Sequence, residues 1–339
     1  METVRERIAR ALEAARRILI VAHERPDADA LGGALALALA LERLGKEVVV
    51  GSQEGVPQLY RFLPTWERVT ATPPQDRFDV SVGMECSDLA RAGNFAAPLR
   101  AARMVINLDH HLDNSGYGDL VWVEPEASAV VELVAELIRE LRVPFEEPIA
   151  TCLMAGLLTD TGSFRYASVR PESFLLAAEL VRCGARPHEI YERVYESRSP
   201  ASMRLLGWSL VRMRLELGGA LAWTVVDEAL LREAGASWED TENIVSHLRG
   251  IAGVRVAVLF RVDAEEVRVS LRSRGGVRVN ELAARFGGGG HAQAAGFTST
   301  EPSEQVIQKT LHAAGELLRA APAAGMHGSF SGCRPWTDS

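Results

Sequence analysis

Four short blocks of acidic and histidine residues stand near the ends of apolar segments in this sequence: His23-Glu-Arg-Pro-Asp27-Ala-Asp29, Glu85 with Asp88, Asp109-His110-His111, and Asp160. Imidazoles and carboxylates gathered from different strand ends and loops are the ligand types of a two-metal phosphoesterase centre. Asp27 and Asp29 are one residue apart behind Pro26, whose ring fixes its own backbone angle, so a sharp loop would aim both carboxylates at neighbouring ions. A helix N-cap also accounts for an Asp in that place, but it leaves His23 unexplained. Adjacent His110 and His111 are hard to read as packing, because a buried imidazole must satisfy both ring nitrogens, and a metal with a carboxylate partner does so. Asp160 alone would read as a helix-terminal turn residue; beside the other blocks it reads as a ligand.

A second signal is Phe286-Gly-Gly288-Gly289-Gly290-His291-Ala-Gln-Ala-Ala-Gly296. Consecutive glycines permit close backbone approach, and successive N–H groups can cradle a phosphate or carboxylate. A flexible surface loop is the bland alternative. His291 and the nearby Arg272 and Arg274 favour anion binding, since a guanidinium fork suits a terminal phosphate.

The elements that must position these groups follow from periodicity. Val4 to Arg16 reads as an amphipathic helix, and Ile18 to Val21 as a buried strand that delivers His23 at its carboxyl end, where ligands bind in open α/β sheets. Ala30 to Leu44 is a strong helix and Glu47 to Val50 a strand. The runs Val80 to Met84 and Met104 to Leu108 end directly at acidic blocks. Helices near Ser128 to Leu141 and Ile149 to Leu158 complete an alternation that predicts a mostly parallel sheet with helices on both faces. Later strands over Ala220 to Val226, Val254 to Val262 and Glu266 to Leu271 alternate with helices near Thr241 to Arg249, Asn280 to Phe286 and Ser303 to Leu318. The expected organisation is a metal-bearing α/β domain over 1–186, a helical linker over 187–211 with Pro187 and Pro200 as breaks, a smaller α/β domain over 212–322, and a disordered tail over 323–339.

Composition narrows the function classes. A chain of 339 residues with 47% hydrophobic residues can bury two cores. The net charge of −8 argues against a broad grip on duplex nucleic acid, which needs an extended cationic surface, and leaves a small anionic substrate in a local basic pocket. Lys46 and Lys309 are the only lysines, which fits codon bias in a GC-rich genome. Cys86, Cys152, Cys183 and Cys333 show no paired spacing, and no apolar run approaches the ~20 residues that span a bilayer. A basic-then-apolar leader pattern is not seen at the N-terminus, so a cytoplasmic protein that does not enter membranes is expected.

On these blocks the chain resembles the DHH phosphoesterase superfamily, and within it the nanoRNase and 3′-phosphoadenosine-5′-phosphate (pAp) phosphatase group. His23-x-x-Pro-Asp27-x-Asp29-Ala-x-Gly32 is similar to the first motif, Asp109-His110-His111 with Asn114 and Gly118 to the third, and Gly156-Leu-Leu-Thr-Asp160-Thr-Gly162-x-Phe164 to the fourth. Gly287 to His291 with Ala-Ala-Gly296 resembles the signature of the DHH-associated domain. The resemblance implies two divalent ions, Mn²⁺ first with Mg²⁺ or Co²⁺ as alternatives, in a cleft between the two domains. It places His23 and Asp27 on one ion, Asp29 and His110 on the other, and Asp160 across both. His111 would face the substrate phosphate, and Asp109 would orient the histidines. Glu85 stands where a metal-bridging aspartate is expected, and its extra methylene moves the carboxylate outward.

The implied activity is hydrolysis of very short single-stranded RNA to nucleoside 5′-monophosphates, with pAp dephosphorylation as a second activity. Arg272, Arg274, His291 and Gly288, Gly289 and Gly290 would hold the far end of the substrate. Phosphodiesterase action on linear or cyclic dinucleotides is the alternative, and a non-catalytic nucleotide binder, suggested by Glu85, is the alternative of another class. The family also makes a homodimer an expectation.

Overall fold

The computed structural model describes residues 2–241 and 243–320; the expected tail over 323–339 and Cys333 lie outside the described residues. The chain divides into two compact units, Met1–Ser197 and Arg198–Ser339.

The first unit begins with α1 (Val4–Ala14), capped by Thr3 in a reciprocal box with Glu6, and continues through β1 (Arg17–Ala22), α2 (Ala28–Arg43), β2 (Glu47–Gly51), β3 (Val69–Thr70) and β4 (Val80–Met84). Then come α3 (Ala96–Arg100), β5 (Met104–Asp109), β6 (Leu120–Val123), α4 (Val130–Glu140), α5 (Glu147–Asp160), α6 (Pro171–Arg182) and α7 (Pro187–Tyr191). The strands form one all-parallel sheet in the order β3-β2-β1-β4-β5-β6. Strand order reverses between β1 and β4, and the crevice beyond the carboxyl ends of two such strands is where open α/β sheets bind ligands. His23 follows β1 and Glu85 follows β4, so two of the four acidic and histidine blocks flank that switch point.

Helix α2 explains how the site is held. Its Leu-Ala alternation is apolar on every side, so the helix is buried from Ala28 to Ala38 against β1, β2, α4 and α5. Close approach to α5 depends on Gly32, where a Cβ would overlap the Cys152 carbonyl oxygen, and on Gly156, where a Cβ would sit 2.7 Å from Asp29 Oδ1. These contacts draw the N-terminus of α2, with Asp29, towards the C-terminus of α5, with Asp160. Alanine normally gains about 1 kcal/mol over glycine inside a helix, whereas overpacking against a backbone carbonyl costs about 1–3 kcal/mol. Gly32→Ala is therefore expected to lower stability, read as a fall in the urea midpoint with an unchanged m-value; a rise in the midpoint would contradict this packing.

The second unit holds α8 (Pro200–Val211), β7 (Arg214–Glu216), β8 (Leu221–Asp227), α9 (Glu228–Ala234), α10 (Ile244–Arg249), β9 (Val256–Val262) and β10 (Val267–Ser273), followed by α11 (Val279–Arg285), β11 (Gly289–His291), β12 (Ala294–Ser299) and α12 (Ser303–Ala320). Its mixed sheet runs β11-β12-β10-β9-β8-β7, parallel only between β8 and β9. The segment read as a linker over 187–211 is helical, and the division at Ser197 shares it between the units: α7 packs on α5, and α8 packs on α9 and α10. Among the described residues, no helix is long and apolar enough to cross a membrane.

Candidate metal centre

The three histidines of the acidic and histidine blocks, His23, His110 and His111, each have Nδ1 committed. His23 Nδ1 lies 2.6 Å from the Glu24 carbonyl oxygen, His110 Nδ1 3.0 Å from that of Ala127, and His111 Nδ1 2.7 Å from Asp109 Oδ1. A carbonyl only accepts, so Nδ1 of His23 and of His110 must carry the proton, and Nε2 is the atom left to face a cation. Asp109 enforces the same tautomer on His111. It is fully buried, and burial alone would raise its pKa. Hydrogen bonds from His111 and from Asn114 Nδ2 (2.6 Å) overcome that and hold it at about 2, so it is ionised. Asn107 and Asn114 exchange amide bonds of 3.0 and 3.2 Å that fix this acceptor in turn.

The carboxylates converge on the presented nitrogens. His110 Nε2 is 3.4 Å from Asp160 Oδ2, 3.6 Å from Glu85 Oε1 and 3.8 Å from Asp29 Oδ2, and His23 Nε2 is 3.9 Å from Asp27 Oδ1. Within the first unit, two sets of donor atoms lie mutually within 4.8 Å, His23 with Asp27 and Glu85, and Asp29 with Glu85 and His110. Glu85 belongs to both. Its Oε2 is buried and, among the described residues, makes no hydrogen bond.

Asp27 is both an N-cap and a member of this nest. Its Oδ1 accepts from the N–H groups of Asp29 and Ala30 at the start of α2. Asp29 does likewise at longer range, accepting from Val130 N at 2.6 Å and Val131 N at 3.1 Å, which caps α4. The electrostatics are those of a site built for cations. Burial, then the neighbouring Asp160, pushes the Asp29 carboxyl far up. Burial, then Asp27 and Asp29, does the same to Glu85. Asp160 is raised to about 6, chiefly by burial, with His110 pulling the other way. Burial lowers the His23 pKa, whereas at His110 it is outweighed by Glu85, Asp160 and Asp29, and the imidazole rises well above its ordinary value. Among the described residues, no lysine or arginine forms an ion pair with Asp27, Asp29, Glu85 or Asp160, and carboxylates packed this way need protons or metal ions to coexist. The nitrogen and oxygen donor set, with one buried orphan oxygen, fits divalent cations.

In the second unit the glycine run expected to cradle an anion is part of a hairpin. Gly289 to His291 is not a loop but strand β11, paired with β12, and Gly288 is required because a Cβ there would overlap the Gly296 carbonyl and Phe297. Phe286 stacks on Phe297 with centroids 4.6 Å apart, anchoring the entry to that hairpin. The register places Arg272, Ala294 and His291 in one row across β10, β12 and β11, so their side chains share a face, with the small Ala294 between the two basic groups. Arg274 is engaged differently: its Nε donates to the Val254 carbonyl at 2.5 Å and its Nη2 to that of Ile251, which ties the turn before β9. The residues that sequence reasoning passed over are those that orient others, the carbonyls of Glu24 and Ala127 and the side chain of Asn107.

An all-parallel sheet with an acid and imidazole nest at its switch point, followed by a mixed-sheet domain, defines a two-domain α/β protein with a cation-binding centre. The profile of the DHH family, N-terminal domain, matches residues 17–157, and that of the DHHA1 domain matches 221–320. The bifunctional oligoribonuclease and PAP phosphatase NrnA of Thermus thermophilus is 36% identical over 305 residues, 90% of this chain and 91% of that one. The protein of the same name from Bacillus subtilis is 28% identical over 82% of this chain and 88% of its own. A crystal structure of an exopolyphosphatase-related protein from Bacteroides fragilis superposes with a TM-score of 0.85 at 26% identity, covering 92% of this chain and 96% of that one. The chain belongs to the DHH family, with a DHHA1 domain following the DHH domain.

Proposed function

We propose that this protein is a metal-dependent phosphoesterase that hydrolyses very short RNA to nucleoside 5′-monophosphates and dephosphorylates pAp to AMP; its NrnA relatives are named as bifunctional oligoribonucleases and PAP phosphatases. The observation that carries the reading is Glu85, shared by two donor sets at the switch point of the parallel sheet. His23 and Asp27 would hold one divalent ion, Asp29 and His110 the other, with Glu85 and Asp160 reaching both. Bound there, two divalent ions, Mn²⁺ in the first instance, would supply a water of lowered pKa and neutralise charge on the phosphoryl oxygens.

The chain's own groups do the rest. Asp109, held ionised, accepts from His111 Nδ1 and fixes the ring, so that its Nε2 would face the phosphate of the substrate. Arg272 and His291, on one face of the second sheet, would take the remote phosphate or base of the substrate. Arg274 contributes to that end by fixing the turn before β9 rather than by contact.

Turnover of a 5′-labelled RNA dinucleotide and of pAp by purified protein with Mn²⁺ tests this, with EDTA as control. Mononucleotide and AMP release that stops with EDTA is expected. Failure on both substrates, with hydrolysis of a cyclic dinucleotide instead, would transfer the assignment to a cyclic-dinucleotide phosphodiesterase.

A further inference from the structure

Arg91 stands beside His23 at the edge of the carboxylate nest. Asp88 Oδ1 accepts from Ala90 N at 2.6 Å and from Arg91 N at 3.2 Å, and the Arg91 carbonyl accepts from Glu24 N at 2.7 Å. The backbone of Arg91 is thus fixed from two sides, by its own loop after β4 and by the loop after β1, at the switch point. Its side chain is half-buried, and Nη2 lies 3.4 Å from His23 Nδ1. That approach is not a hydrogen bond of use to either group, because His23 Nδ1 already donates to the Glu24 carbonyl and has no lone pair to offer.

Among the described residues Arg91 forms no ion pair, and the polar side-chain atom it approaches is His23 Nδ1. Removing a guanidinium from water without a partner is unfavourable unless a ligand completes it. The ligand that suits a planar fork beside a cation-binding nest is a phosphoryl group, met by two parallel N–H donors.

We propose that Arg91 is a catalytic residue that grips the non-bridging oxygens of the phosphate under attack, a role that rests on the phosphoesterase reading above. It supplies from the first unit a fixed positive charge where negative charge grows as the bond to the leaving oxygen breaks. Its position on the loop shared with Glu85 keeps the fork in register with the nest.

The test compares Arg91→Ala and Arg91→Lys with the unmodified protein. It reads turnover of an RNA dinucleotide and of pAp with Mn²⁺, the affinity of the Mn²⁺-loaded protein for inorganic phosphate, and the rise in Tm on adding Mn²⁺. Arg91→Ala should lose about 10²-fold in kcat/KM on both substrates and bind phosphate more weakly, while the Mn²⁺-induced rise in Tm is retained. Arg91→Lys, a point charge without the fork, should recover only part of the loss. Unchanged kcat/KM and phosphate affinity in Arg91→Ala would overturn the proposal, and so would loss of the Mn²⁺ response, which would make Arg91 a support for His23. If the unmodified protein turns over neither substrate yet loses phosphate affinity in Arg91→Ala, the phosphate site stands and the activity reading falls.

Discussion

Asp160→Ala is expected to reduce turnover of both RNA dinucleotide and pAp on the order of 10³-fold or more, because on the proposed two-metal reading it deletes a carboxylate that no neighbour can replace. Asp160 ends α5, where the helix macrodipole disfavours negative charge, and its Oδ2 lies 3.4 Å from His110 Nε2. Burial has already raised its pKa to about 6, and Asp160 in turn is a cause of the raised pKa of Asp29. A carboxylate kept in such a place costs stability that only a bound cation returns. The same substitution should therefore leave the metal-free Tm unchanged or raised and abolish the increase that Mn²⁺ gives the unmodified protein, since a ligand stabilises only the fold that binds it. Rates within tenfold of the unmodified protein would remove Asp160 from the centre. A large fall in metal-free Tm would instead make it a structural helix terminus.

Where a local pattern decides an element, the sequence is a good guide. The apolar runs of β1, β4 and β5 end at acidic or histidine blocks, and an all-apolar helix such as α2 can only be buried, so the parallel sheet and the convergence of its blocks were legible. Asp29 shows where that stops. Its capping of α4, a hundred residues away, depends on the helix packing that Gly32 and Gly156 allow, and no local spacing encodes it. The conformation of the glycine run before His291 was not legible for a different reason. Glycine is compatible with a loop, a phosphate cradle or a crowded hairpin, and only the facing Gly296 and Phe297 select the hairpin. Arg274 looks from sequence like its neighbour Arg272, yet two backbone carbonyls about twenty residues away take up its donors. Arg91 carried a faint signal, an arginine three residues beyond Asp88 in an acidic loop, whose meaning required the His23 tautomer.

Glu85 supports the other large expected effect. An aspartate is what the family resemblance places at this position, so on resemblance alone Glu85→Asp is a repair. The structure points the other way. Glu85 holds a left-handed backbone, φ 58°, and its N–H donates to the Leu108 carbonyl at 2.8 Å, which fixes its Cα against β5. A non-glycine residue there costs of order 1–2 kcal/mol, and the surroundings hold it so that Oε1 reaches within 3.6 Å of His110 Nε2. Removing a methylene from that fixed Cα withdraws the carboxylate by roughly 1.5 Å, a bond length, and a misplacement of about 1 Å at a reacting centre can cost about 10²-fold. Glu85→Asp is thus expected to lose about 10²-fold in kcat with weakened Mn²⁺ binding. Glu85→Gln keeps the length but not the charge shared by both donor sets, and should lose more, on the order of 10³-fold. Steady-state rates and metal stoichiometry by equilibrium dialysis read both effects. A Glu85→Asp protein as fast as the unmodified one would mean that the loop after β4 relaxes to carry a shorter bridge, and that its left-handed turn is not what sets the reach of this carboxylate.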